Sequence, residues 1–223
     1  MSDIASRLEQ LRSEVPEGVE IVAVSKFHPV EALREAYDAG QRIFGESRVQ
    51  ELLAKIPEMP ADVRWHFIGH LQTNKVKALI GHTALIESVD SEKLLDLIDA
   101  ESRKAGVTTN VLMQLHVARE ETKFGFTPVE LMEYFLERRF EKLTNTHICG
   151  VMGMASNTDD MERVRADFHL IYDVFDSIRH NETLGLRGFD KVSMGMSGDW
   201  RIAVEEGSDL IRIGTFIFGE RQY

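Results

Sequence analysis

Short apolar runs rich in β-branched and aromatic residues recur along the chain at 19–25, 41–45, 64–69, 84–88, 110–117, 146–152, 190–194 and 209–213. Runs of this kind predict strands, and most are separated by segments with helical spacing. The clearest such segment is 159–180, where Met161, Val164, Phe168, Ile171, Phe175 and Ile178 fall at intervals of three and four. They build one apolar stripe, the face that a helix turns toward a core. Another helix is predicted to open at Thr127, with Pro128 at its first position and Glu130 three residues on, a capping box. Eight strands alternating with helices predict an α/β fold, a single (β/α)8 TIM barrel; an open doubly wound sheet is the alternative. No linker, low-complexity segment or internal repeat interrupts the pattern. The loop PEMPAD at 57–62 has too little chain before it to bound a separate globule, so residues 1–223 read as one domain.

Composition narrows the class. A chain of 223 residues with 43% hydrophobic content can bury a substantial core. Its net charge of -11 is spread out, with no run of Lys and Arg, which argues against a nucleic-acid or anionic-membrane surface. Cys149 stands alone, so no internal disulfide can form and a reducing compartment is expected. The opening MSDIASRLEQLRSEV is polar and helix-patterned, unlike a signal peptide, and no stretch is apolar enough to span a bilayer. A soluble cytoplasmic protein is the expectation.

The candidate chemistry starts at Lys26, which ends the apolar run VEIVAVSK and is followed almost at once by Pro29. A lysine closing a buried strand loses solvation for its ammonium form, so its amine can lose a proton near neutral pH and attack a carbonyl to form a Schiff base. The plain structural alternative is a lysine that marks where a strand meets water. A barrel places its active site at the C-terminal ends of its strands, often with a phosphate site in the loops after strands seven and eight. Here the seventh run leads into Gly195, Ser197, Gly198 and a helix opening at Asp199, and the eighth carries Arg212, Gly214 and Thr215. Amides and hydroxyls in those loops all donate, which suits a phosphate. A Schiff-base lysine and a phosphate cradle on one face suggest pyridoxal 5'-phosphate (PLP). Arg212 then takes the place opposite the pyridine nitrogen where strong electron sinks carry a carboxylate; an arginine cannot accept that proton. Its structural alternative is a partly buried arginine paired with Glu205 or Glu206.

Other candidates are weaker. His66 and His70 recur at a metal-like interval, but four residues along a strand span about 13 Å, too far for one ion; they read as satisfied or solvent-facing histidines near strand three. Cys149 reads as a small buried hydrophobe within strand six. Neither a nucleophile elbow nor a Gly-Lys-Ser/Thr phosphate loop is present. No metal site is expected.

The strings AVSK (23–26), FGESRVQE (44–51), WHFIGHLQTNK (65–75), GVMGM (150–154), SMGMSGDW (193–200) and AVEEGSDLIRIGTFIFGER (203–221) resemble the family of PLP homeostasis proteins, known as YggS in bacteria and PROSC or PLPBP in animals. The resemblance covers nearly the whole chain in order and spacing. More distantly, the chain resembles the N-terminal barrel of alanine racemase, a fold-type III PLP enzyme. The resemblance implies one barrel carrying PLP as an internal aldimine on Lys26, with phosphate contacts from Ser197, Gly214 and Thr215 and with Arg212 facing the pyridine nitrogen. Two departures stand out. Ser47 occupies a position where the family commonly has asparagine, and Leu115-His116 replaces its valine-asparagine pair, so contacts to the ring's 3-hydroxyl differ. The segment EETKFG at 120–125 keeps the family's lysine, Lys123, at the mouth of the site, where it either handles cofactor or stands as a solvated loop residue.

Alanine racemase resembles a two-domain machine whose second domain supplies a catalytic tyrosine. This chain ends at Tyr223, soon after Gly214, and no such domain is expected. With no evident second base, no catalytic residue is assigned, and the favoured function is a monomeric PLP-binding protein that buffers or carries the cofactor, with PLP-dependent apoenzymes as partners. A small PLP-dependent amino-acid racemase is the alternative, and a cofactor-free Schiff-base aldolase is a third reading.

Overall fold

The computed structural model describes residues 3–118 and 124–220. Eight parallel strands close into a barrel in chain order: β1 (Glu20–Val24), β2 (Ile43–Glu46), β3 (Arg64–Phe67), β4 (Leu85–Val89), β5 (Thr109–Leu115), β6 (Thr146–Gly153), β7 (Lys191–Ser193) and β8 (Leu210–Ile213). Closure is made by β8 against β1, with Val22 level with Arg212 and Ala23 with Ile213. Around the barrel run α1 (Asp3–Glu14), α2 (Val30–Asp38), α3 (Val49–Lys55), α4 (Val76–Leu79), α5 (Glu92–Ala105), α6 (Pro128–Leu136), α7 (Met161–Arg179), α8 (Trp200–Glu205) and α9 (Thr215–Phe218). The closed barrel excludes the open doubly wound sheet.

All eight predicted strands form, with small shifts at their ends. Gln41 does not join β2: its backbone N–H donates to Ala36 O at 2.9 Å at the end of α2, while its side-chain amide donates to the carbonyls of Ile21 and Ile43, both at 2.7 Å. The predicted stripe on α7 packs as expected, with Val164, Phe168, Ile171, Phe175 and Ile178 buried. Met161 departs from it: at the first turn of α7 it is 44% exposed, beyond the edge of the covered face. The capping box on α6 is complete, Glu130 N–H donating to Thr127 Oγ1 at 3.2 Å and Thr127 N–H to Glu130 Oε2 at 2.8 Å.

Side chains alternate along each strand, so the apolar residues divide into two groups. Val22, Ile43, Leu85, Leu112, Cys149, Met152 and Leu210 fill the inside of the barrel. A larger cluster, including Ala23, Phe44, Phe67, Ile86 and Ile213, packs the outer faces of the strands against the helices. Cys149 belongs to the inner group and burial pushes its thiol up, as suits an inert small hydrophobe. Because the inner cluster plugs the barrel, it is a floor for the strand ends rather than a channel.

At the N-terminal rim, the half-buried carboxyl of Asp209 accepts the Val192 N–H at 2.9 Å. Its pKa is pushed up to about 6, chiefly by lost hydration, against the opposing pull of that N–H and of Lys191, with Asp190 and Glu20 adding repulsion. A raised folded value means the folded chain holds this proton more tightly than the unfolded one. The resulting stabilisation is complete below about pH 4 and is lost as pH rises through about 6. Asp209→Asn keeps an acceptor for Val192 and removes the charge. Urea unfolding should therefore show the variant about 1–2 kcal/mol more stable than the parent at pH 7.5, with the difference vanishing near pH 4.

Candidate functional site

The predicted residues collect at the C-terminal ends of the strands. Lys26 lies two residues past β1, half-buried in a tight turn, and Ser47 follows β2 directly. Val22 belongs to the inner cluster, so alternation carries Val24 and then Lys26 to the same side. Ser25 accordingly faces outward and is fully buried against the helix layer. The turn after β2 is pressed against the chain after β3: a Cβ on Gly69 would stand 2.3 Å from the Ser47 carbonyl oxygen, so only glycine fits there.

The loops after β7 and β8 are joined by backbone. Met194 N–H donates to Leu210 O at 3.1 Å, and Arg212 N–H to Gly195 O at 3.0 Å. Gly195 has φ +93°, and a Cβ on it would meet Ala203 Cβ at 2.6 Å, so glycine lets the chain turn tightly over α8. Asp199 then takes the Met196 N–H at 2.5 Å, shaping the loop that presents Ser197 and Gly198. Among the described residues, the N–H groups of Ser197 and Gly198 have no backbone acceptor. Thr215 opens α9 with its side chain exposed, and the first amides of any helix lack a carbonyl one turn earlier. A side chain on Gly214 would crowd Val24, at 3.3 Å from its Cβ.

Beneath this mouth lies a buried polar layer. Arg212 is 5% exposed; its Nη1 donates to Ser193 Oγ at 2.5 Å and its Nη2 to Gly153 O at 2.9 Å. Glu87, fully buried, has Oε2 at 3.7 Å from Arg212 Nη1 and accepts the Ser193 hydroxyl at 2.6 Å. Its other oxygen lies 2.7 Å from His66 Nδ1. Five strands, β3, β4, β6, β7 and β8, thus share one connected group. Burial alone would raise the Glu87 pKa, but the His66 contact, the charges of His66 and Arg212 and the Ser193 hydroxyl outweigh it and hold the carboxyl below its ordinary value. Burial draws the Arg212 pKa down while Glu87 and Asp199 oppose it, and a guanidinium starts so high that it stays charged.

The pairing of Arg212 with Glu205 or Glu206 is therefore corrected. Both acids lie on the outer face and hold Arg165, at 2.5 Å and 2.6 Å, because alternation turns Arg212 inward. Sequence reasoning also missed Glu87 and Ser193. The available signal was a carboxylate inside the otherwise apolar LIESV, since an acid in a buried strand needs a partner. Of the two histidines, His66 is the buried, satisfied kind, while His70 is largely exposed, bonded to Asp90 at 2.8 Å and stacked on Phe124. Lys123 lies outside the described residues. His116 follows β5, where its N–H donates to Phe126 O at 2.8 Å.

A second missed group holds the Lys26 turn from outside. Lys55, at the end of α3 and 6% exposed, donates to Ser25 O at 2.9 Å, Glu46 Oε1 at 2.7 Å and Glu51 Oε1 at 2.7 Å. Beside the mouth, the loops after β6 and β7 enclose a cavity of about 490 Å³ lined by Met154, Ser156, Asn157, Met196 and Asp199 among others.

A closed parallel barrel of this topology places the chain in the class of alanine racemase-type barrels, and residues 1–222 match the family described as alanine racemase, N-terminal domain. The chain is 38% identical over 229 residues to the pyridoxal phosphate homeostasis protein of Schizosaccharomyces pombe, covering 99% of this chain and 94% of that one. PipY of Synechococcus elongatus PCC7942, solved without PLP, superposes with a TM-score of 0.91 at 37% identity, covering 97% of this chain and 100% of PipY. The PLP-bound form of PipY gives a TM-score of 0.88 at 36% identity over the same shares. Alanine racemase of Clostridium difficile 630 shares the fold alone, at 13% identity and a TM-score of 0.76, covering 99% of this chain and 57% of that enzyme. The chain belongs to the family of pyridoxal phosphate homeostasis proteins.

Replacing Glu87 by alanine leaves Arg212 buried without its acid, a change that typically costs about 3–5 kcal/mol. Urea unfolding at pH 7.5 should show a loss of that order. Because the folded carboxyl titrates below its ordinary 4.5, the contribution is present above that value and is lost as pH falls through the lower folded one. The gap between parent and variant should shrink in step.

Proposed function

We propose that this chain binds PLP at the C-terminal face of its barrel and buffers or carries it within the cell, with little catalysis of its own. Lys26 is the amine that takes the cofactor's aldehyde as a Schiff base. Ser197, Gly214 and Thr215 hold the phosphate, Ser47 lies beside the ring, and Arg212 faces the pyridine nitrogen. The whole chain acts as one cofactor-binding domain, monomeric and cytoplasmic, that releases PLP to apoenzymes. The names of its relatives and the PLP-bound form of PipY support the ligand.

The donor chemistry of this chain fits the group. Two adjoining loops offer amides and hydroxyls, and Asp199, the carboxylate of the first, accepts the Met196 N–H. Such a donor set suits a dianion. Arg212 lies level with Val22, four residues before Lys26 along the neighbouring strand.

The observation that carries the non-catalytic reading is Arg212 itself. PLP acts as an electron sink most strongly when its ring nitrogen is protonated. A guanidinium donates and cannot give up its proton in a protein, so it holds that nitrogen neutral. The acid of the same layer, Glu87, is already engaged by His66 and Ser193.

Incubation with PLP followed by borohydride and peptide mapping should label Lys26. In Lys26→Ala the adduct should vanish while the thermal melt stays close to the parent's, because a half-buried residue beyond the strand contributes little to the core. Undiminished stoichiometry in that variant would assign the cofactor to another amine.

Whether the chain turns over amino acids is read separately. The PLP-loaded protein, kept with alanine or serine in deuterated water, should show little α-proton exchange and no racemisation. Steady turnover at about 1 per second or faster, a rate ordinary for enzymes, would replace the carrier reading with a racemase.

A further inference from the structure

The segment bearing Lys26 is gripped on both sides by one buried ion group. Lys55 reaches the carbonyl of Ser25, the residue before Lys26, at 2.9 Å. Glu51, its partner one turn earlier on α3, accepts the N–H of Phe27, the residue after Lys26, at 2.6 Å. Glu46 completes the group by accepting from both Lys55, at 2.7 Å, and the Ser25 hydroxyl, at 2.6 Å. An ammonium has three protons, and Lys55 spends them on Ser25, Glu46 and Glu51.

The conformation so held is one the chain would not choose locally. Phe27 has φ +68°, a left-handed backbone in a residue with a bulky side chain. Such strain persists only where the surroundings over-determine it. Further contacts fix the same turn: His28 N–H donates to Ser25 O at 3.1 Å, the Arg48 guanidinium lies 4.7 Å from the Phe27 ring centre, and His28 stacks on Phe218 of α9 at 4.9 Å.

The group also carries a local cost. Glu46 is fully buried, and its second oxygen has no hydrogen-bond partner among the described residues. Burial pushes its pKa up, against the pull of Lys55 and Ser25. An apolar helix-to-barrel contact would avoid that cost, so the ion group needs a use beyond packing.

We propose that Lys55, with Glu46 and Glu51, is a positioning device: it fixes the backbone on either side of Lys26 from outside the barrel, so that the Lys26 amine is aimed at the interior and meets an aldehyde in a set orientation. The inference rests on the reading that Lys26 takes the cofactor. Orientation is a kinetic asset because a misaimed amine must find its approach angle at each encounter.

The test uses the full chain, free PLP and three variants. Lys55→Met removes the central cation, Lys55→Arg restores a cation with several donors, and Glu51→Ala removes only the acceptor for Phe27 and one partner of Lys55. Glu51 is 20% exposed, so the last variant keeps the test available should Lys55→Met fail to fold. Stopped-flow absorbance reads adduct formation, and a pH titration of the bound cofactor's absorption band reads the surroundings of the imine nitrogen. Both Lys55→Met and Glu51→Ala should form the adduct about tenfold or more slowly, the scale expected from losing one charge-assisted hydrogen bond. Their band midpoint should move by half a pH unit or more, and Lys55→Arg should recover part of the rate. Folded variants with the parent's rate and band midpoint would overturn the positioning role while leaving the cofactor assignment standing. A parent chain that yields no borohydride-reducible adduct on Lys26 would overturn the assignment, and the positioning role with it.

Discussion

An arginine with its guanidinium inside the barrel is the constraint on which the rest of the site depends. Water cannot solvate Arg212 there, so the charge must be met by protein, and the only directions open to it are the inner faces of other strands. Ser193, Gly153 and Glu87 answer from β7, β6 and β4, and His66 on β3 occupies the other oxygen of Glu87. A pair of buried charges is weak evidence for net stability, since desolvation offsets most of the attraction. What it does impose is register. A one-residue slip of β3, β4, β7 or β8 would turn its polar side chain to the helix layer and strand its partners, so the layer fixes how the strand ends, and hence the loops above them, line up.

The same layer separates two tasks. The inner apolar cluster closes the barrel, and the loops after β7 and β8 offer amides and hydroxyls at its mouth. A ligand at the mouth therefore rests on a preformed charged floor rather than on water. On the function proposed above, the floor turns a guanidinium toward the ring while its acid is engaged by His66 and Ser193, an arrangement that favours retention of the cofactor over carbanion chemistry on it.

How far the sequence discloses this varies with the distance of the partners along the chain. Strand positions, the α7 stripe and the α6 cap are local patterns, and each appeared where periodicity and capping placed it. That Lys26, Ser47, Ser197, Arg212, Gly214 and Thr215 gather at the strand ends was legible because barrel topology names those ends in advance. Glu87 and Ser193 were missed because they stand 106 residues apart, and nothing local pairs an acid in β4 with a hydroxyl in β7. Lys55 was missed for a subtler reason: on α3 it reads as an ordinary last-turn cation facing water and a helix dipole, whereas the turn after β1 folds over it. The mistaken pairing of Arg212 had the same origin, since Glu205 and Glu206 are near in sequence but lie across the strand from it.

Taken together, the two buried ion groups define Lys26 by what surrounds it on opposite sides. The outer one, through Lys55 and Glu51, holds the peptide units flanking the lysine; the inner one, through Arg212, lies beneath the mouth of the barrel. Neither touches the other, since successive side chains of a strand point to opposite faces and Ser25 and Lys26 divide the two duties between them. A site built this way binds by geometry prepared before the ligand arrives, and preparation lowers the ordering cost of binding. That is the division expected if, as proposed, the chain holds a reactive aldehyde, on a barrel whose fold it shares with alanine racemase.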